Sequence, residues 1–220
     1  MKITLFGIPL SPYVRKVRAT LAYKNIPYEE VFVIPSSPDQ PEEFKANSPL
    51  GKIPLLKIDD RYLSDSSVIC AWLEREFPEK PLLPQDNFDA AQALWFEEYA
   101  GSVMTTAMAA HLFAEVVLAK AVFNREPIQS DIDKALNVEL PAIFDYLEPR
   151  IQGHTLLASG FSMADIAVGA ISTAMLHSGH SVDPKTWPNT ARYLSGLLEG
   201  ELFSGLIAEE KQLLASFGIG

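Results

Sequence analysis

Cysteine occurs once in this sequence, at Cys70, and no histidine precedes His111. A lone thiol excludes an internal disulfide and any metal site built from several cysteines. The missing histidines leave a serine hydrolase without an obvious local base in the first half of the chain. Long apolar runs are also scarce. Runs such as those near 166–171 and 107–110 fall far short of a membrane span. The opening segment MKITLFGIPL lacks the extended hydrophobic region and small-residue cleavage site of a signal peptide. These gaps lead to the expectation of a cytoplasmic protein with no membrane partner. A basic excess is absent too: the net charge of -10 argues against general nucleic-acid binding.

What is present suits a buried core, with 48% hydrophobic and 21% charged residues in a chain of 220. Charge is unevenly placed. Residues 1–80 carry 11 Lys+Arg and 11 Asp+Glu, whereas residues 81–220 carry 7 and 17, which supplies all ten net negative charges. The proline-rich stretch FPEKPLLPQDNFD lies at that change. The expected organisation is a first domain over 1–78, a linker over 79–87 and a second domain over 88–220.

In the first domain, Ile3 to Phe6 reads as a strand and Pro12 to Tyr23 as a helix. Tyr28 to Ile34 reads as a second strand, completing a βαβ unit with a parallel pair. Residues 41–47 suit a short helix. IPLLKID and RYLS flank Asp59-Asp60 as a hairpin. Asp65 to Phe77 suits a helix with Val68, Ile69, Trp72 and Leu73 on one face. The second domain reads as helical throughout. Phe88 to about Phe123 is long and broadly apolar. Ser130 with Asp133 fits a capping box, and Pro141 should kink or divide the helix that follows. Ser162 with Asp165 fits a second capping box, opening a helix apolar nearly all round.

Three stretches of the first domain carry chemistry. In PLSPYVRKVR, Ser11 suits a helix N-cap and Pro12 the first helical position. Such a serine follows the first strand of an α/β domain, at the strand's carboxyl end, where ligands bind. A thiolate placed there meets a hydroxyl donor and a helix dipole. A free thiol titrates near about 8.5. Lowering that by about two pH units takes roughly 2.7 kcal/mol. One charge-assisted hydrogen bond (about 1.5–3 kcal/mol) and a helix terminus (about 0.3–1 kcal/mol) are together of that size. In GKIPLL, Pro54 opens a strand. A trans bond there is ordinary, whereas a cis bond would turn the backbone N–H and C=O of Ile53 outward to pair with an extended peptide. In SDSSVIC, Ser64 to Ser67 crowd a helix start. They serve either as redundant caps or as an anion site, with Ser66 adding a hydroxyl and Asp65 suiting an ammonium.

These stretches, in this order and ahead of a helical domain, resemble the cytosolic glutathione transferases, serine-type, near the plant tau class and bacterial relatives. SPYVRKVRATLAYKNIPYEE resembles their first βαβ segment, NSPLGKIPLL their cis-proline loop, LSDSSVICAWLE their γ-glutamyl-binding element, and FSMADIA the capping box of their central helix. The resemblance implies an α/β thioredoxin-like N-terminal domain and an all-α C-terminal domain. It implies glutathione as co-substrate, with Ser11 holding its thiolate and Ile53, before cis Pro54, pairing with its backbone. Lys52 would approach the glycyl carboxylate, while Asp65 and Ser66 bind the γ-glutamyl amine and carboxylate. Asp65 departs from the usual Glu or Gln by one methylene. Conjugation to small apolar electrophiles and a homodimer are also implied. A carrier or regulatory protein on the same fold, or a glutathione-dependent isomerase or dehalogenase, would share the site.

Other residues read more plainly. Cys70 suits a buried structural position. His177 and His180 fall near a loop with no carboxylate or cysteine cluster, so no metal is expected. Met104, Met108 and His111 follow helical spacing, either as core or, with Tyr13, as walls of a second-substrate pocket. Arg15, Lys16 and Arg18 suit a solvated helix face that raises the potential for an anionic ligand.

Overall fold

The computed structural model describes residues 1–35 and 37–219. The chain separates into two compact units, Met1–Pro81 and Leu82–Gly220.

The first unit is built on a four-stranded sheet. Its strands are β1 (Ile3–Gly7), β2 (Glu29–Phe32), β3 (Leu55–Ile58) and β4 (Arg61–Ser64), in the order β2-β1-β3-β4. All five residues of β1 are buried, as a central strand covered on both faces should be. β1 pairs with β2 in parallel and with β3 antiparallel. The parallel pair requires a crossover, which helix α1 (Pro12–Tyr23) supplies. The β3–β4 hairpin turns on Asp59-Asp60 as expected, with Asp59 at φ +50°. The short helix α2 (Glu42–Asn47) places Phe44 against Phe6, Val33 and Leu55, with Ile53 and Tyr62 packed around them. Helix α3 (Ser66–Glu76) packs along α1, and the two are linked by the Thr20 Oγ1 to Cys70 Sγ contact of 3.3 Å.

Two expectations for this unit are corrected. The inner face of α3 is Ser66, Ile69, Cys70 and Leu73, while Val68 is exposed. That stripe follows the i, i+3, i+4, i+7 rule more closely than one containing Val68. The basic run of α1 is not a solvated face. Arg15 is 0%, Lys16 5% and Arg18 4% exposed. Their stems cross apolar surface and their head groups reach partners. Arg15 Nη2 donates to Leu10 O at 3.4 Å, Lys16 Nζ to Ser67 Oγ at 2.9 Å, and Arg18 Nε to Glu30 Oε1 at 2.7 Å.

The second unit is helical. Helix α4 (Asn87–Ala121) is a continuous 35 residues, with the stretch Ala100–Leu118 wound more widely than an α-helix. By length and composition alone it is apolar enough to cross a membrane. In this fold it packs along α7 (Met163–His177) and buries Met104, Ala107, Met108 and Leu112. Between them, α5 (Gln129–Lys134) runs through a widened turn, Ala135–Glu139, into α6 (Leu140–Leu147). Pro141 lies in the first turn of α6, so the expected division takes the form of a widened turn just ahead of it. The expected cap at Ser130 is corrected: the N-cap of α5 is Ile128, two residues earlier, and Asp133 accepts from Gln129 Nε2 instead.

The capping box at Ser162 is present. Ser162 Oγ accepts from Ala164 N at 3.3 Å, and Asp165 Oδ2 accepts from Ser162 N at 2.8 Å. Asp165 Oδ1 also accepts from Leu156 N and the Tyr193 hydroxyl. Leu82, inside the stretch expected to be a linker, is buried and accepts from Met163 N at 2.8 Å. Helices α8 (Pro188–Glu199) and α9 (Glu201–Ser216) complete the unit.

Candidate functional site

Strand register decides which loops of the first unit meet. Phe6, near the carboxyl end of β1, pairs with Leu55 at the start of β3. Leu55 in turn pairs with Ser64 at the end of β4. The segments just beyond these three positions therefore emerge from one end of the sheet. They are the turn to Ser11, the Ile53-Pro54 bond, and Asp65 with Ser66. Residues more than 50 positions apart in sequence are brought to one end of the sheet by the pairing of β1, β3 and β4.

Ser11 is the N-cap of α1, with φ -71° and ψ 124°. Its N–H donates to Ile8 O at 3.0 Å, closing the turn from β1. Its Oγ accepts from Val14 N at 3.4 Å. Capping uses a lone pair of that oxygen and leaves the hydroxyl hydrogen to donate elsewhere. The turn is tight: a Cβ at Gly7 would lie 2.5 Å from Val14 Cγ2, so only glycine lets α1 start this close to β1.

The Ile53-Pro54 bond is cis. Pro54 is buried, and the Ile53 side chain packs on the Phe6–Phe44 cluster. The backbone N–H and C=O of Ile53 have no hydrogen-bond partner among the described residues. Such a pair is a short free strand edge, suited to an extended peptide ligand. Lys52 beside it is exposed, and its carbonyl accepts from Ser48 Oγ at 2.9 Å, fixing the approach to the bond.

Asp65 is the N-cap of α3 and lies at φ +74°. Its Oδ1 accepts from Ser67 N at 2.8 Å and Val68 N at 3.2 Å. One carboxylate oxygen thus belongs to the helix and Oδ2 is left for a ligand. Ser66 follows at 4% exposure. Its N–H and hydroxyl have no protein partner among the described residues, so both are donors at a helix N-terminus. Lys16 stands behind this turn through its bond to Ser67 Oγ. Its place in the site was not evident from the amphipathic pattern of α1, although the crowding of serines at 64–67 was the one available signal.

The remaining expected residues lie as follows. Tyr13, in the first turn of α1, is half-buried. Met104 and Met108 are fully buried in the second unit. His111 is half-buried and its Nδ1 lies 2.7 Å from Glu139 Oε2. Burial pushes the Glu139 carboxyl up, but hydrogen bonds from His111 and Lys134 outweigh it and hold the group below its ordinary value. An ionised Glu139 only accepts, so His111 carries its proton on Nδ1. Among the described residues no group of His, Cys, Asp or Glu is arranged to hold a metal ion.

Comparison with known proteins bears on this geometry. Residues 5–81 match the family model for the glutathione S-transferase N-terminal domain. Over 94% of its length the chain is 26% identical to glutathione S-transferase DHAR3, chloroplastic, of Arabidopsis thaliana, covering 72% of that protein. A shorter match, 40% identical over 38% of the chain and 35% of the relative, is to Protein LigF of Sphingobium sp.. The crystal structure of a glutathione S-transferase from Rhodospirillum rubrum superimposes with a TM-score of 0.83 at 24% identity, covering 93% of this chain and 91% of that one. The fold is the glutathione transferase fold, a thioredoxin-like unit followed by a helical one.

Proposed function

We propose that this chain is a serine-type glutathione transferase, which binds glutathione at the sheet edge of its first unit and directs the thiolate at a small apolar electrophile. The observation that carries the reading is the convergence, at one end of the sheet, of three sets of polar groups with hydrogen-bonding capacity to spare. They are the Ser11 hydroxyl, the free N–H and C=O of Ile53, and the N–H and hydroxyl of Ser66. A tripeptide with a carboxylate at each end and a thiol between them matches that set. Ser66 takes the γ-glutamyl carboxylate and Asp65 Oδ2 the ammonium. Ile53 pairs with the cysteinyl backbone, and Lys52 approaches the glycyl carboxylate.

The chemistry asked of the protein is modest. Ser11 donates its hydroxyl hydrogen to the sulfur, and the N-terminus of α1 adds a favourable dipole. The thiolate attacks the electrophilic carbon, a carbon–sulfur bond forms, and the leaving group departs with its electron pair or, in an addition, a proton is taken up. Proximity and thiolate stabilisation supply the acceleration. Of the residues expected to meet the second substrate, Tyr13 in the first unit and His111 in the second are each half-buried, and Met104 and Met108 would act through packing. A homodimer and a cytoplasmic location belong to the same reading.

Two measurements test it. Calorimetry with glutathione comes first, followed by turnover with aryl halides, isothiocyanates and peroxides. Binding with conjugate formation is the expected result. Absence of binding at millimolar glutathione would sink the reading. Binding without turnover would turn it into that of a carrier.

A further inference from the structure

Two histidines of the second unit are paired with carboxylates. His177 Nε2 lies 2.7 Å from Glu210 Oε2, with side chains 2% and 0% exposed, so that pair is sealed in the core. The pair at His111 is open. His111 Nδ1 lies 2.7 Å from Glu139 Oε2, and the two side chains are 20% and 19% exposed. His111 Nε2 has no hydrogen-bond partner among the described residues. The other Glu139 oxygen, Oε1, is 2.9 Å from Lys134 Nζ. Both members of the pair stand in widely wound helix, Ala100–Leu118 and Ala135–Glu139, and these stretches pack together. Such winding is uncommon and often marks functional sites. We propose that His111 is a catalytic acid–base residue positioned by Glu139, and that the electrophile is a conjugated carbonyl compound.

The proposal rests on the transferase reading and assigns its electrophile class. An ionised Glu139 only accepts, so the ring keeps a proton on Nδ1. Nε2 is thereby committed to gaining and losing the second proton, and the carboxylate answers the positive charge when it is gained. Glu115, four residues further along the same helix, is taken up by Arg125 and Ile128 N. Substitution at an aryl halide needs no such group, because the halide leaves with its electron pair. Addition to a conjugated carbonyl does need one. The thiolate forms a bond to the β-carbon, and the C=C π pair moves onto the carbonyl to give an enolate. Nε2–H then gives its proton to the α-carbon. The imidazole takes a proton back from solvent, which balances the one that the thiol released on ionising.

The test assays the full chain with glutathione and two electrophiles, trans-4-phenyl-3-buten-2-one for addition and 1-chloro-2,4-dinitrobenzene for substitution. In His111→Ala the ratio of the two kcat values, addition over substitution, should fall about a hundredfold. Added imidazole should restore part of the addition rate. Glu139→Gln keeps the shape of the side chain, removes the anion behind the ring and should lower the same ratio. Circular dichroism checks the fold of both variants. Equal losses in the two reactions, unaffected by imidazole, would mark a structural role and overturn the proposal. So would an unchanged ratio in both variants. A parent that conjugates the aryl halide and not the enone overturns this proposal alone, whereas a parent that binds no glutathione takes the transferase reading down with it.

Discussion

Lys16 Nζ donates to Ser67 Oγ across 2.9 Å, tying the second turn of α1 to the first turn of α3. The two helix starts that offer donors to a ligand are thereby held in register by one buried ammonium. Lys16→Met keeps most of the stem and removes the donor. We expect a loss of about 1–3 kcal/mol in urea unfolding, together with weaker glutathione binding. An unchanged midpoint would show that the bond is incidental.

Ser11→Ala separates capping from thiolate stabilisation. Losing the cap should cost about 0.5–2 kcal/mol of stability. The pKa of bound glutathione, followed by thiolate absorbance, should rise toward the free-thiol value of about 8.5, with little change in affinity. If the bound thiol titrates as before, the hydroxyl is a cap and nothing more.

Gly7→Ala drives a methyl group into Val14, whose Cγ2 lies 2.5 Å from the position the new carbon would take. Val14 is buried and cannot swing out. The first turn of α1 must shift, at about 1–3 kcal/mol, and Ser11 moves with it. Stability and glutathione affinity should fall together. A variant as stable as the parent would mean that the turn adapts.

Glu115 governs the acid limb of stability. Hydrogen bonds from Arg125 and from Ile128 N lower its pKa from 4.5 to about 2. A lowered folded value favours the ionised form, so its contribution is fully present above about pH 4.5 and is lost as pH falls through about 2. Glu115→Gln should be less stable than the parent at neutral pH, and the gap should close on acidification across that window. Urea midpoints at a series of pH values give the readout. A gap that stays constant would rule out this linkage.

Much of the fold could be read from local pattern. The βαβ start, the Asp59-Asp60 hairpin and the Ser162–Asp165 capping box each depend on residues close in sequence. Ser11, Ile53-Pro54 and Ser66 could be marked individually for the same reason. What the pattern could not show was burial set by distant partners. Arg15, Lys16 and Arg18 carry charge, and charge on a helix ordinarily means solvent. Here Leu10 O, Ser67 Oγ and Glu30 Oε1 receive their head groups. Val68, a hydrophobic residue next to Ile69, invites grouping with it, although the two lie about 100° apart around a helix and Val68 is exposed. The cis geometry at Pro54 follows from the family resemblance and is present, whereas local pattern alone favours trans.

Asp65 has a consequence of another kind. A non-glycine residue at positive φ is costly, and here its side chain closes the start of α3 through Oδ1. Glycine would relieve the backbone and leave the helix start open. A longer acid would have to reach back over its own backbone to the same two amides. Under the proposed function, helix integrity and ligand preference would be inherited together at this position. A lineage that altered what this edge binds by changing Asp65 would first have to find α3 another beginning.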